Sequence, residues 1–268
     1  MKKIIFSLVM ALIPLSVPSY SWGITDAEAI NISGRQRMLT QRMMKNYLLI
    51  GADVKADKAS GQLDDAVALF EEQFLKLRDY SPTNAISSRL DSVESLWIPH
   101  RSQIIGQPSR QDLQPLLQTN LALLKACDDV VKEIEKYAQV ESARLVNISG
   151  RQRMLSQKIA KVYTALYWRV DSPELKTEFA AAIDLFEQSL TELEGYTDNT
   201  PELKDSLRKV RNQWNFSQSG FNLESTGRYV PTVISVTTES ILKKMDEITM
   251  QYQQLMMSKA GQLASAGH

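Results

Sequence analysis

Residues 30–43 read Ile30-Asn31-Ile32-Ser33-Gly34-Arg35-Gln36-Arg37-Met38-Leu39-Thr40-Gln41-Arg42-Met43, and residues 146–159 read VNISGRQRMLSQKI. The second copy lies 116 residues after the first, and too few positions differ for the likeness to be accidental. The same offset carries Leu69-Phe70-Glu71 onto Leu185-Phe186-Glu187, Leu77 and Tyr80 onto Leu193 and Tyr196, and Pro115 onto Pro231. Trp97 and Trp214 correspond with one residue of slippage. The chain is therefore an internal duplication that spans both halves, and each half should contain the same elements in the same order.

Those elements are helices. Thr25-Asp26-Ala27-Glu28 is a capping-box pattern that starts the first helix, and Gly51 offers its stop. Leu63, Val67, Phe70, Phe74 and Leu77 recur at three and four residues and end before Ser81-Pro82. Ile86, Leu90, Val93 and Trp97 mark a third helix. A fourth begins at Leu113, and Phe179, Leu203 and Val230 open the corresponding stripes of the second half. Neither half shows the alternation of a sheet. The expected fold is all-α: tandem duplicated up-down four-helix bundles.

From Leu117 through Cys127 and Val131 to Ile159 and Leu166 the spacing alternates four and three residues, and no proline intervenes between Pro115 and Pro173. The pattern predicts one long continuous helix that joins the halves, about 80 Å of it at 1.5 Å per residue, with the bundles stacked end to end. A break between Gln139 and Ala143 would instead place them side by side.

The N-terminus reads as a secretory signal peptide over 1–23. Lys2 and Lys3 precede the apolar run Ile4 to Leu15, which is shorter than a bilayer span. The domains expected after it are 24–140 and 141–260, each one bundle, and a disordered tail over 261–268. Basic and acidic residues balance at 31 each, which points to no nucleic-acid partner. The single cysteine, Cys127, excludes an internal disulfide, and two histidines exclude a histidine-rich metal site. Cys127 lies on the apolar seam and is expected to be buried and unreactive. No nucleophile–base pair, metal spacing or phosphate loop stands out, so the reading is a non-enzyme with no cofactor, no catalytic residue and no metal ligand.

The repeated segment holds the candidate site. On a helix, Gly34, Arg37 and Gln41 share one stripe, as do Gly150, Arg153 and Gln157. The other large members of the first stripe are apolar, and an arginine on such a face requires an anionic or acceptor-rich partner. No Asp or Glu lies within either motif. A mid-helix glycine costs about 1 kcal/mol relative to alanine, and is retained where a backbone approaches closely or a ligand needs room. A planar guanidinium beside such a gap suits a small planar oxyanion. The competing reading is packing: acids of the next helix, Asp64, Asp65, Glu71 or Glu72, could bridge these arginines and fix helix register. The candidate ligand-binding residues are Arg37, Arg153, Gly34, Gly150, Gln41 and Gln157.

Ile30-Asn31, Gly34 and Arg37-Met38, repeated at Asn147, Gly150 and Arg153-Met154, resemble the helical motif of the type IV pilus methyl-accepting transducer N-terminal (PilJ-like) family. They are also similar to the motif of the periplasmic domain of nitrate and nitrite sensor kinases. The resemblance implies a periplasmic four-helix sensor bundle. In the nitrate sensors the matching arginines of two subunits face a shared anion at a dimer interface, which makes Arg37 and Arg153 the implied anion contacts. The expected function is a periplasmic sensory-type protein that binds nitrate, nitrite or a similar oxyanion, forms a homodimer and docks to a membrane sensor or chemotaxis transducer. The alternative is a structural or adaptor protein of the cell envelope whose motifs organise helix packing and dimerisation.

Overall fold

The computed structural model describes residues 23–139, 141–221 and 230–266. The signal peptide expected over 1–23 lies almost wholly outside them. Eight helices and no strand occur among the described residues: α1 (Asp26–Gly51), α2 (Ala56–Tyr80), α3 (Asn84–Ile104), α4 (Leu113–Ala138), α5 (Glu141–Tyr167), α6 (Glu174–Glu194), α7 (Pro201–Gln218) and α8 (Pro231–Ala266). The fold is all-α, as the periodicity implied. The capping box at Thr25 forms: its Oγ1 accepts from the Glu28 amide at 3.3 Å while Glu28 Oε2 accepts from the Thr25 amide at 2.8 Å. Helix α8 continues past Gly261, where the sequence reading placed a disordered tail; its last turns are mostly Ala, Gln and Leu, which favour helix.

The long joining helix does not form. Helix α4 ends at Ala138, and Gln139 adopts φ 51°, ψ 28°. In a continuous helix residues 135 and 147 would be about 18 Å apart, yet Asn147 Nδ2 donates to Glu135 Oε2. The chain reverses, and α4 and α5 make a helical hairpin. The seam on α4 and α5 was real, but it reported two core-facing stripes and not one helix. A non-glycine residue in the left-handed region costs roughly 1–2 kcal/mol. The packing gained when α5 folds back against α1 outweighs it.

The two bundles, α1–α4 and α5–α8, therefore lie side by side, and α1 and α5 pack together at the centre. Gly34 faces Gly150, and at the other end Gly51 lies beneath Trp168. Both pairings keep nearly the repeat offset, so α1 and α5 run parallel and in register about a pseudo-twofold axis. Each is buried on nearly every side, which explains why helices this polar hold Asn, Gln, Ser, Thr, Lys and Arg side chains away from solvent. The outer helices are amphipathic and supply the rest of the core. Phe70 packs on Trp97 at 4.3 Å between ring centroids, and Phe186 packs on Trp214 at 4.0 Å in the second half. Cys127 is buried on the α4 seam, where desolvation pushes its thiol up to about 12. No described helix is long and apolar enough to cross a membrane.

Candidate functional site: the paired arginine seam

The repeated motif lies on α1 and α5, and the fold puts its two copies against each other. Arg37 and Arg153 are both 0 % exposed. Arg37 Nη1 meets Asp128 Oδ1 at 2.5 Å, and Arg153 Nη1 meets Asp246 Oδ1 at 2.5 Å. The second nitrogen of each crosses the seam. Arg37 Nη2 donates to Asn147 Oδ1 at 2.7 Å and to the Asn147 carbonyl at 3.2 Å; Arg153 Nη2 donates to the Asn31 carbonyl at 3.0 Å. Each arginine thus ties its own bundle's fourth helix to the other bundle's first.

The glycines make this approach geometrically open. A Cβ on Gly150 would stand 3.2 Å from Arg153 Nη2, 3.7 Å from Arg37 Nη2 and 3.9 Å from Gly34 Cα. A Cβ on Gly34 would meet the same two guanidinium groups at 3.4 and 3.5 Å. Both guanidinium groups therefore flank a single glycine–glycine crossing. Two further arginines stand near: Arg35 pairs with Asp246 at 2.7 Å, and the charge of Arg151 acts on Arg37. Burial lowers the pKa of both central arginines, Arg153 to about 10, with Asp246 opposing the shift and the neighbouring arginines adding to it. Burial alone would raise the Asp128 and Asp246 carboxyls, but the facing guanidinium groups outweigh it and hold both below the usual range. The Nε atoms of Arg37 and Arg153 are buried without an acceptor.

The remaining candidates are placed differently. Gln41 turns to α4, where Nε2 donates to Asn120 Oδ1 at 3.0 Å and Asn120 returns a bond to the Thr40 carbonyl at 2.9 Å. Gln157 Oε1 accepts from Lys45 Nζ at 2.9 Å. Neither bonds an arginine of the seam. Asp64, Asp65, Glu71 and Glu72 do not bridge the arginines either. Glu71 instead bonds Trp97 and Arg101, because α2 packs on a different face of α1 from the one Arg37 occupies. The acids that matter, Asp128 and Asp246, sit 118 residues apart, directly after Cys127 and Met245 on the fourth helices. That recurrence of an acid one step off the apolar seam was the available signal. Gln36 and Gln152 were also missed; each donates to the carbonyl of the repeated phenylalanine, Phe70 at 3.1 Å and Phe186 at 2.8 Å. No group of three or more metal-ligating side chains occurs among the described residues.

The profile of the family described as "Type IV pili methyl-accepting chemotaxis transducer N-term", PilJ, matches residues 24–123 and again 138–222. The chain belongs to this family. Each match covers one motif copy and the helices after it, so the chain contains two PilJ segments in tandem. The family is one of periplasmic, non-catalytic sensory domains. No curated protein and no solved structure matches the chain.

Proposed function

We propose that this tandem PilJ protein is a periplasmic sensory module that binds a small oxyanion, of the size and charge of nitrate or nitrite, between Arg37 and Arg153. The supporting observation is the pair of fully buried guanidinium groups flanking one Gly34–Gly150 crossing. Two cations held together away from water repel each other, and each retains an Nε–H with no acceptor. An anion on the pseudo-twofold axis would relieve both costs. It would also compete with Asp128 and Asp246 for the guanidinium hydrogens. Occupancy would thereby loosen α4 and α8 from the seam, a change that a docked membrane signalling partner can read. In this reading the pairing of arginines that the resemblance to the nitrate sensors implies between two subunits is made inside one chain, so ligand binding would require no second copy.

A specific observation favours the structural reading as its competitor. Each arginine already has a carboxylate on one side and a carbonyl across the seam. That set suffices for a purely packing role. Thermal melting with nitrate, nitrite, sulfate and acetate separates the two. A ligand that binds only the folded state must raise its melting temperature with concentration. Gly150→Ala should abolish that response, because its methyl group fills the crossing, while the helical circular dichroism persists. An unresponsive parent protein would leave the packing role as the function of the motif.

A further inference from the structure

The two repeats are not electrostatically alike where their first helix turns into their second. The backbone there is the same: Asp53 has φ 53° and Arg169, its counterpart 116 residues later, has φ 56°. Val54 and Val170, Ala59 and Leu175, and Leu63 and Phe179 keep their apolar character in both copies. The polar positions are inverted. Lys55, Lys58 and Gln62 of the first repeat correspond to Asp171, Glu174 and Glu178 of the second. In the second repeat Glu178 neutralises the buried Lys161 at 2.9 Å and Lys158 at 3.3 Å. In the first, Gln62 carries no charge. Lys45 and Arg42 take Glu239 of α8 instead, at 2.5 and 3.1 Å.

This exchange leaves a cleft of about 290 Å³ between the start of α2 and α8. Leu49, Val54, Ala59 and Val236 line its apolar part, and Lys55, Lys58 and Lys243 stand around it. Glu239, its carboxylate, is already engaged by Arg42 and Lys45. Among the described residues the three lysines make no ion pair. One helical turn before Leu49, Asn46 is 0 % exposed and has no partner for either amide atom. The corresponding residue of the second repeat is Val162, an ordinary core side chain. The first repeat has thus acquired unmatched cations around an apolar cleft, and, on the helix that lends Leu49 to it, a buried amide without a partner.

We infer that this cleft is a second ligand site, separate from the arginine seam, that takes a small organic carboxylate with a compact apolar body. The size is at the lower end of small-molecule pockets, which excludes lipids and polyanions. The apolar lining requires a body that inorganic anions lack, and the lysines select negative charge. Because the cations are solvent-facing, binding weakens as salt shortens the screening length.

The test is isothermal titration of the full chain with benzoate and hexanoate, set against benzamide and acetate. Either carboxylate with an apolar body should bind, and benzamide and acetate should bind at least about tenfold more weakly. Two variants should each lose at least about tenfold in affinity with unchanged melting. Val236→Trp fills the cleft from a half-exposed position on α8, and the double variant Lys55→Asp/Lys58→Glu copies the charges of the second repeat. Gly150→Ala should bind benzoate as the parent does, which keeps this outcome distinct from that of the arginine seam. Absence of binding by both carboxylates at about 10 mM, a Kd range worth under about 3 kcal/mol, would overturn the inference. So would benzamide binding as well as benzoate, or binding that survives both variants.

Discussion

Asp128→Asn removes one negative charge and almost nothing else, so it measures what the Arg37 guanidinium requires. Breaking a buried ion pair by deleting one partner costs about 3–5 kcal/mol, because the surviving charge is left without compensation. Two features of the seam reduce that figure. The Asp128 side chain is 28 % exposed, so water reaches part of the pair. The Asn Oδ1 also remains to accept from Nη1, which retains a hydrogen bond of about 1 kcal/mol. The expected loss is about 2–3 kcal/mol, or about 5–10 °C in melting temperature for a chain of this size. Urea unfolding followed by circular dichroism provides the measurement. Lys132→Ala serves as the control, because Lys132 contacts the other carboxylate oxygen from an exposed position and should cost under about 1 kcal/mol. The effect also has a pH signature. Arg37 holds the Asp128 carboxyl below its ordinary value against the opposing effect of burial. Its stabilisation is therefore present above about pH 4 and disappears as pH falls through the folded-state value. Parent and variant should converge in acid. A variant within about 0.5 kcal/mol of the parent at pH 7, a surface-like value, would refute the view that Arg37 depends on Asp128.

Gln139→Gly should stabilise the protein by up to about 1 kcal/mol, because glycine adopts the left-handed conformation at this turn without a Cβ penalty; a continuous helix would instead be destabilised by about that amount, so the sign of the change in urea midpoint decides. Lys45 is buried between Gln157 and Glu239, and desolvation lowers its amine to about 8 despite Glu239. The unfolded chain keeps that proton to higher pH, so parent stability should rise between about pH 8 and 9.5, by at most about 1.4 kcal/mol per pH unit; Lys45→Met should show a shallower rise, and an unchanged slope would show that the amine does not titrate there. Gly51→Ala should destabilise by about 1–3 kcal/mol, since the new Cβ would stand 2.6 Å from Trp168 Cζ2 in a rigid ring; thermal melting unchanged from the parent would contradict the packing of α1 against the end of α5.

The helices and their repetition were legible because burial imposes a three-and-four spacing that survives duplication. Phe70 and Phe186, or Trp97 and Trp214, could be paired on sequence alone. The reversal at Gln139 was not legible. Its cause is not a local breaker but the energy of placing α5 against α1, which no window of sequence contains. For the same reason Arg37 and Arg153 were read correctly as arginines in need of partners, while the partners were sought on the wrong helices. An i-to-i+4 pattern places a side chain on a face of its own helix. It does not say which other helix covers that face. Asp128 and Asp246 escaped because the offset grows from 116 residues at the motif to 118 along the fourth helix, beyond the Pro115–Pro231 match at 116, so a search at fixed offset pairs Asp128 with Lys244. The glycines were open to two readings, and the backbones do come close: a Cβ added to either glycine would stand 3.9 Å from the Cα of the other.

The covalent link between the halves has an evolutionary consequence. In a symmetric pair of identical subunits every substitution is made on both faces at once, so a charge introduced for one purpose is also introduced where it is unwanted. Here the partner is encoded separately and tethered through the turn at Gln139, so the pairing is independent of protein concentration and the halves can diverge one residue at a time. Lys58 and Glu174 occupy the same position in their repeats with opposite sign, and Asn46 and Val162 differ in polarity in the same way. One half can be held to the ancestral packing while the other explores new chemistry.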